Sequence, residues 1–278
     1  MSEAGLTVEA EANQAPSHPH PVLKVPRSGD AVAATRETAN ETAVAIEFDG
    51  APYAVMMATP ADLEEFAIGF ALSERIIGNV SEIARIDIRY GERGVGIDLR
   101  LEQERSARLA ERTRALAGQS GCGICGIATI DEALPELPPL AKAPQLHASA
   151  LFAALDALWA RQTLNRATGA VHAAAFCHTN GEIVVAREDV GRHNAFDKVI
   201  GHLARKGGTE DGFALLTSRC SYELVQKAIL AAIPILATVS APTELAVEIA
   251  KKSRLTLISL ARSDSFLVFN DPFNSIVA

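Results

Sequence analysis

The chain has 278 residues, 48% hydrophobic and 22% charged, enough for one large or two modest domains around a sizeable core. A net charge of −8 argues against a duplex-DNA binder, which needs a basic surface to displace counterions, and 5% aromatics argues against a stacking platform for single strands. Four cysteines are too few for a disulfide scaffold, although an acidic chain can still hold a locally positive pocket for a small anion.

Residues 1–40 mix Pro16, Pro19, Pro21 and Pro26 with Ser, His, Ala and Glu, with no apolar period, and are expected to form a solvated, disordered tail. The start lacks the basic and apolar runs of a signal peptide, and no long apolar stretch suggests a membrane span. The expectation is a soluble, reducing, cytoplasmic protein. From residue 41 a small α+β domain is expected to run to 118. Alternation over 42–48 and 53–57 around Asp49-Gly50 predicts a hairpin. Thr59-Pro60 is expected to open a helix capped by Thr59, carrying Leu63, Phe66, Ala67, Phe70 and Ala71 on its apolar face. Segments 83–90 and 95–101 predict a second hairpin.

Residues 119–146 read as a connection, with a glycine-rich Cys-x-x-Cys loop followed by Pro135, Pro138, Pro139 and Pro144. The second domain is expected over 147–278. It opens with a helix over 149–164 whose face carries Leu151, Leu155, Leu158 and Trp159. Strands over 170–177 and 182–187 follow, then a helix over 190–205 capped by Asp189. Alternating strands and helices then run 213–217, 222–232, 235–239, 243–252 and 255–260, with a last strand near 266–269. This rhythm predicts a layered α/β domain with some parallel pairing.

Three features carry candidate chemistry. Cys122 and Cys125, in Gly-Cys-Gly-Ile-Cys-Gly at 121–126, can serve as half of a metal site, as a redox pair or as a reactive sulfur. A zinc site wants four ligands, and Cys177 and Cys220 are single and distant; a thioredoxin-type pair opens a helix, a context missing here. A sulfur carrier needs a reachable thiolate, which a glycine-rich loop suits. The second feature, 187–198, crowds six charged residues and a histidine at a helix start, with His193 and Asp197 at i, i+4 where a carboxylate could orient an imidazole. The alternative is a salt-bridged helix end. The third is a pair of strand-to-helix junctions, 217–221 and 239–243. Helix N-termini there could cradle a phosphate at the carboxyl ends of strands, or the Ser and Thr residues could simply be caps. His172 sits where a zinc deaminase has His-x-Glu, but the Glu position is Ala174, so a working deaminase is not expected and His172 reads as a buried structural residue.

Taken together, these segments resemble the formate dehydrogenase accessory sulfurtransferases, the FdhD family. The resemblance rests on Gly-Cys-Gly-Ile-Cys-Gly at 121–126, Thr-Gly-Ala-Val-His-Ala-Ala-Ala at 168–175, the Arg-Glu-Asp-Val-Gly-Arg-His-Asn-Ala-Phe-Asp-Lys run at 187–198 and Val-Ser-Ala-Pro-Thr at 239–243. It implies a carrier that takes sulfur from a cysteine desulfurase as a persulfide on Cys122, with Cys125 assisting. The acceptor would be the molybdenum cofactor in its bis-molybdopterin guanine dinucleotide form, before entry into formate dehydrogenase. It also implies a C-terminal domain related to the cytidine deaminase fold without its zinc site, no tightly bound metal of the chain's own, and a cofactor-binding segment at Leu260, Ala261, Arg262, Ser263, Asp264 and Ser265. A homodimer is expected, with no nucleic-acid or membrane partner. The family pattern Gly-Phe-x-Arg-x-x-Arg-Phe is altered here: Ser259, Leu260 and Ser265 replace Gly, Phe and the second Arg, Arg262 keeps one charge, and Asp264 adds a negative one. Two alternatives belong to other classes, namely a non-catalytic cofactor chaperone with a structural metal at the cysteine pair, and a zinc deaminase.

Overall fold

The computed structural model describes residues 15–103, 105, 134–208 and 211–278. Cys122 and Cys125 lie outside these described residues, as do residues 1–14 of the expected tail.

The segment 17–39 is a correction to the expected tail. Strands β1 (Ser17–Lys24) and β2 (Val32–Ala39) form an antiparallel hairpin, with Ser17 opposite Ala39 and Lys24 opposite Val32. Pro19 and Pro21 fall at alternate positions of a strand paired on one side only, where a missing N–H need not break the ladder. The hairpin is tied at its base, where the Asn40 amide donates to the Ala15 carbonyl and the Arg36 guanidinium donates to the Thr168 carbonyl. It is held by its ladder and these bonds, one of them reaching the second lobe, more than by burial, which is why no apolar period announces it.

The first lobe has a four-stranded sheet in the order β4-β3-β6-β5, from β3 (Thr42–Phe48), β4 (Ala51–Ala58), β5 (Ile83–Gly91) and β6 (Gly94–Leu101). The first turn follows the Asp-Gly signal, with Asp49 and Gly50 both at positive φ. Val44, Ile46, Phe48, Val95, Ile97 and Leu99 project from one face onto helix α1 (Leu63–Ser73). That helix is apolar nearly all round, so it is buried on two sides. Its N-cap is Asp62, in the left-handed region with no side-chain cap bond, in place of the expected Thr59. Thr59 is instead committed to the second lobe.

The second lobe opens with β7 (Leu146–His147), helix α2 (Ala148–Arg161) and the short helix α3 (Thr163–Thr168). The single helix expected over 149–164 is thus broken at Gln162, and Trp159 faces solvent at 60% exposure instead of joining Leu151 and Leu158 in the core. Strands β8 (His172–His178) and β9 (Ile183–Asp189) precede helix α4 (Arg192–Arg205). Then come β10 (Gly212–Leu216), α5 (Tyr222–Leu230), β11 (Ile235–Thr238), α6 (Glu244–Lys252), β12 (Thr256–Ser259), β13 (Leu267–Asn270) and β14 (Ile276–Val277).

Six of these strands make one sheet in the order β13-β12-β11-β10-β8-β9. The β10-β11 and β11-β12 pairs are parallel, and the outer pairs are antiparallel. Alternation sorts the core: Ala174 and Phe176 point to the layer of α4, α5 and α6, while Ala173, Ala175 and Cys177 point to α2. Central strands buried on both faces, such as Phe-Ala-Leu-Leu at 213–216, read as continuous apolar runs, as sheets covered on both sides require.

The lobes meet where α1 crosses α4. A Cβ built at Gly69 would lie 1.8 Å from the Asp197 carbonyl oxygen, and one at Gly201 would lie 1.9 Å from that of Glu65. Only glycine permits this approach of two backbones. Among the described residues, no helix is long and apolar enough to cross a membrane.

Candidate functional site at the parallel-strand edge

The charged run at 187–198 splits into two kinds of residue. Most of its charges are turned inward and join the lobes. Lys198 is fully buried, with Nζ 2.7 Å from Asp189 Oδ2 and a further hydrogen bond to the Thr59 carbonyl. Asp189, equally buried, also accepts from the backbone N–H groups of Thr59 and Gly191 and from the Asn194 side-chain amide. The helix cap is Gly191, with no side-chain bond; Asp189 is the last residue of β9 and serves as a hub between lobes. Glu188 accepts from the Leu164 and Asn165 N–H groups and so caps α3. Arg187 donates in bidentate fashion to Glu65 on α1, which also meets His202 at 2.8 Å. Burial alone would raise the Glu65 carboxyl, but the hydrogen bonds and charges of Arg187 and His202 hold it below its usual range.

The expected His193–Asp197 pair does not form. Asp197 accepts from the Lys227 ammonium at 2.7 Å and from the Ser73 hydroxyl. His193 Nε2 lies 2.9 Å from Glu223 Oε2, and that hydrogen bond, outweighing burial, pulls the Glu223 carboxyl below its usual range. Glu223 and Lys227 come from α5 and Ser73 from α1, so proximity in sequence was the wrong guide.

The second kind of residue faces the sheet edge. Because β10, β11 and β12 are parallel, their carboxyl ends share one edge with the start of antiparallel β8 and the end of β9. The two expected junctions meet there: the Cys220 N–H donates to the Ala241 carbonyl, and the Thr243 N–H donates to the Cys220 carbonyl. Thr243 caps α6 through its hydroxyl, the plain capping role, whereas Ser221 at the N-cap of α5 makes no cap bond. His172 is half-buried at this edge and not an interior structural residue. Burial and the charges of Arg192, His193 and Arg219 together push its imidazole down, so it faces a cationic surface. Ala174, where a deaminase would carry its glutamate, is packed beneath the helices with no carboxylate to offer.

The segment expected to bind a cofactor follows β12 at the same edge. Leu260 takes a left-handed conformation, φ 53°, and its N–H donates to the Ser240 carbonyl. A non-glycine residue there is strained and is kept by its surroundings. Ala261 is buried, its N–H held by the Thr238 carbonyl, while Arg262, Ser263, Asp264 and Ser265 are exposed. The Arg262 N–H donates to the Ser265 carbonyl, closing a tight loop. Arg192, His193 and Arg219 were not singled out as a cluster by sequence. The signal was present in the two motifs, but only the sheet topology brings 172, 192 and 219 to one edge.

The two described cysteines are poor sulfur nucleophiles. Burial pushes the thiols of Cys177 and Cys220 up to about 12, and both are shut in the core.

Fold and edge define an α/β protein with a cationic parallel-strand edge, locked to a small β-sheet lobe, and without a deaminase's catalytic carboxylate. The chain belongs to the FdhD/NarQ family, whose sequence pattern matches residues 39–276. A relative from Bordetella bronchiseptica called sulfur carrier protein FdhD is 43% identical over 235 residues, covering 84% of this chain and 85% of the relative. One of the same name from Xanthomonas euvesicatoria is 46% identical over 247 residues, covering 88% of each. Among solved structures, a crystal structure described as that of a formate dehydrogenase accessory protein from Desulfotalea psychrophila superposes with a TM-score of 0.75. It is 25% identical, and the match covers 94% of this chain and 99% of that one. The hairpin β1–β2 lies almost wholly before the span the family pattern matches.

Proposed function

We propose that this chain is a cytoplasmic sulfur carrier serving formate dehydrogenase maturation. The observation that carries the reading is the exclusion of the interior thiols: with Cys177 and Cys220 held as neutral thiols, sulfur chemistry falls to Cys122 and Cys125. The names of the relatives support it. In this reading the Cys122 thiolate attacks the outer sulfur of a cysteine desulfurase persulfide. An S–S bond forms on Cys122, the donor's S–S bond breaks, and the donor thiolate leaves. The sulfur is then delivered to the molybdenum cofactor in its bis-molybdopterin guanine dinucleotide form. Cys125 can release it by attacking Cys122 Sγ, which forms a Cys122–Cys125 disulfide and frees the outer sulfur as hydrosulfide. The two electrons come from the thiolates, and an external thiol restores the pair. The segment 260–265 is assigned to the guanine nucleotide, with Arg262 as its charged contact. The deaminase-like character of the second lobe is retained only as scaffold, because position 174 has no proton shuttle, and a homodimer would present two such edges.

The test is direct. The purified protein is incubated with a cysteine desulfurase and cysteine, and its peptides are weighed. One added sulfur on the Cys122 peptide, removable by reductant and absent in Cys122→Ala, is the expected result. No gain on either cysteine, with an active desulfurase present, overturns the reading.

A further inference from the structure

Helix α1 closes on a residue that its geometry does not favour. Arg75 follows the last turn at φ 57°, the left-handed conformation in which glycine is the usual closing residue. The closure is otherwise regular, with the Arg75 N–H donating to the Leu72 carbonyl and the Ile76 N–H to the Ala71 carbonyl. Backbone makes both bonds, so glycine would keep them without the crowding of Cβ against a carbonyl. The arginine side chain bears a second cost, because its Nε is shut off from solvent with no hydrogen-bond partner among the described residues. Strain of this kind persists only where the surroundings hold it.

Arg75 stands between the two flanks of the segment that carries Cys122 and Cys125. The outgoing flank is fastened to the first lobe. Arg105 donates to the Ile76 carbonyl and, at 2.8 Å, to the Arg75 carbonyl, and its Nε lies 3.4 Å from Glu82 Oε2. The returning flank is fastened to the second lobe. There the Leu140 N–H donates to the Ser253 carbonyl, and Leu137 and Leu140 pack against the core beneath α4, α5 and α6. Arg75 touches both flanks: its carbonyl accepts from Arg105, and its Nη2 donates to the Glu136 carbonyl at 3.3 Å. Positions 105 and 136 are thus brought to one residue at the end of α1.

We infer that Arg75 is a positioning residue that clasps the two flanks of the cysteine-bearing segment, so that the segment leaves and returns at one point of the lobe junction. Its part in sulfur transfer rests on the function proposed above; the clasp itself does not. A donor protein must meet the Cys122 thiol with its persulfide in line, and a fixed root limits the volume in which that thiol is presented. Release of the returning flank therefore slows transfer from a protein donor and leaves the intrinsic reactivity of the thiol alone.

The test compares the full chain with Arg75→Gly and Arg75→Lys. Glycine suits φ 57°, so Arg75→Gly should fold at least as well as the wild type, with a urea midpoint at or above it. The clasp is read by endoproteinase Glu-C, which cuts after Glu136 only when that flank is released. Arg75→Gly should be cut there about fivefold faster, the loss of one hydrogen bond from the closed state. Loading of Cys122 by a cysteine desulfurase with cysteine should slow by a similar factor in Arg75→Gly, while alkylation of Cys122 by iodoacetamide keeps its wild-type rate. Arg75→Lys retains a cationic donor for the Glu136 carbonyl and should recover both readouts; no recovery in either removes the donated bond from the account. Slower loading in a variant as stable as the wild type is a result that a merely structural residue does not give. Equal cleavage in the wild type and Arg75→Gly overturns the clasp. Faster cleavage with unchanged loading overturns its part in sulfur transfer, as does alkylation that slows in step with loading. A wild type that never loads, with an active desulfurase present, defeats the sulfur reading instead, and faster cleavage in Arg75→Gly then leaves the clasp standing.

Discussion

Lys198 is buried with its Nζ 2.7 Å from the buried Asp189 carboxylate and also donates to the Thr59 carbonyl. Lys198→Met should therefore destabilise the protein by roughly 3–5 kcal/mol, because it strands a buried carboxylate. Urea unfolding at pH 7 measures this, and a loss under about 1 kcal/mol would mean that the three N–H donors on Asp189 suffice without the cation. The residue types of this network were legible in the sequence, since the run at 187–198 is dense in charge. Their directions were not. Helical spacing places His193 beside Asp197, but the side chains turn to Glu223 and Lys227 on the next helix. Burial of a lysine and an aspartate is a tertiary property that local periodicity does not encode. The same limit hid the division of labour within the motif, in which Asp189, Asp197 and Lys198 join elements while Arg192 is left to face the edge.

The crossing of α1 and α4 depends on two missing side chains. Gly69→Ala would force a methyl group into the Asp197 carbonyl and Gly201→Ala into that of Glu65, and backbone cannot yield as a flexible side chain does. Each should cost about 3 kcal/mol or more, at or beyond the usual range for overpacking. Urea denaturation checks the pair, and a neutral Gly69→Ala would show that the helices can part without loss. Most elements were legible because their patterns are strong, with period-two alternation at 42–48, an Asp-Gly turn, and apolar runs between helices. The hairpin β1–β2 was not, since polar strands interrupted by prolines carry no hydrophobic signal. The break at Gln162 also escaped notice, because α3 owes its separate start to Glu188, which caps it from the neighbouring strand's end. Neither misreading touched the sheet edge. The parallel order of β10, β11 and β12 follows from strand-helix alternation, and that order positions the candidate site.

At the scale of the molecule, one ion-pair cluster between the lobes, at Glu65, and one pair within the second lobe, at Glu223, respond to acid. Glu65 is raised by burial but lowered further by Arg187 and His202; Glu223 is lowered chiefly by its hydrogen bond to His193. A carboxylate held below its usual range contributes stability above the unfolded value, about 4.3, and loses it as pH falls through the folded one. The urea midpoint should thus drop below about pH 4.3, and less steeply in Glu65→Gln and Glu223→Gln than in the wild type. Parallel slopes in all three proteins would remove these carboxylates from the account. The layered class of the second lobe could be read from the chain alone, but the docking of the first lobe could not, because it is made by groups more than 120 residues apart, such as the Thr59 N–H with the Asp189 carboxylate and Glu65 with Arg187. One further consequence follows from the interior thiols. Cys177 lies under α2 and Cys220 under α5 and α6, on opposite faces of the same sheet. An alkylating reagent reaches either sulfur only when its own layer lifts away. The pair therefore acts as two built-in clocks, reporting whether the two faces of the sheet open together or one before the other.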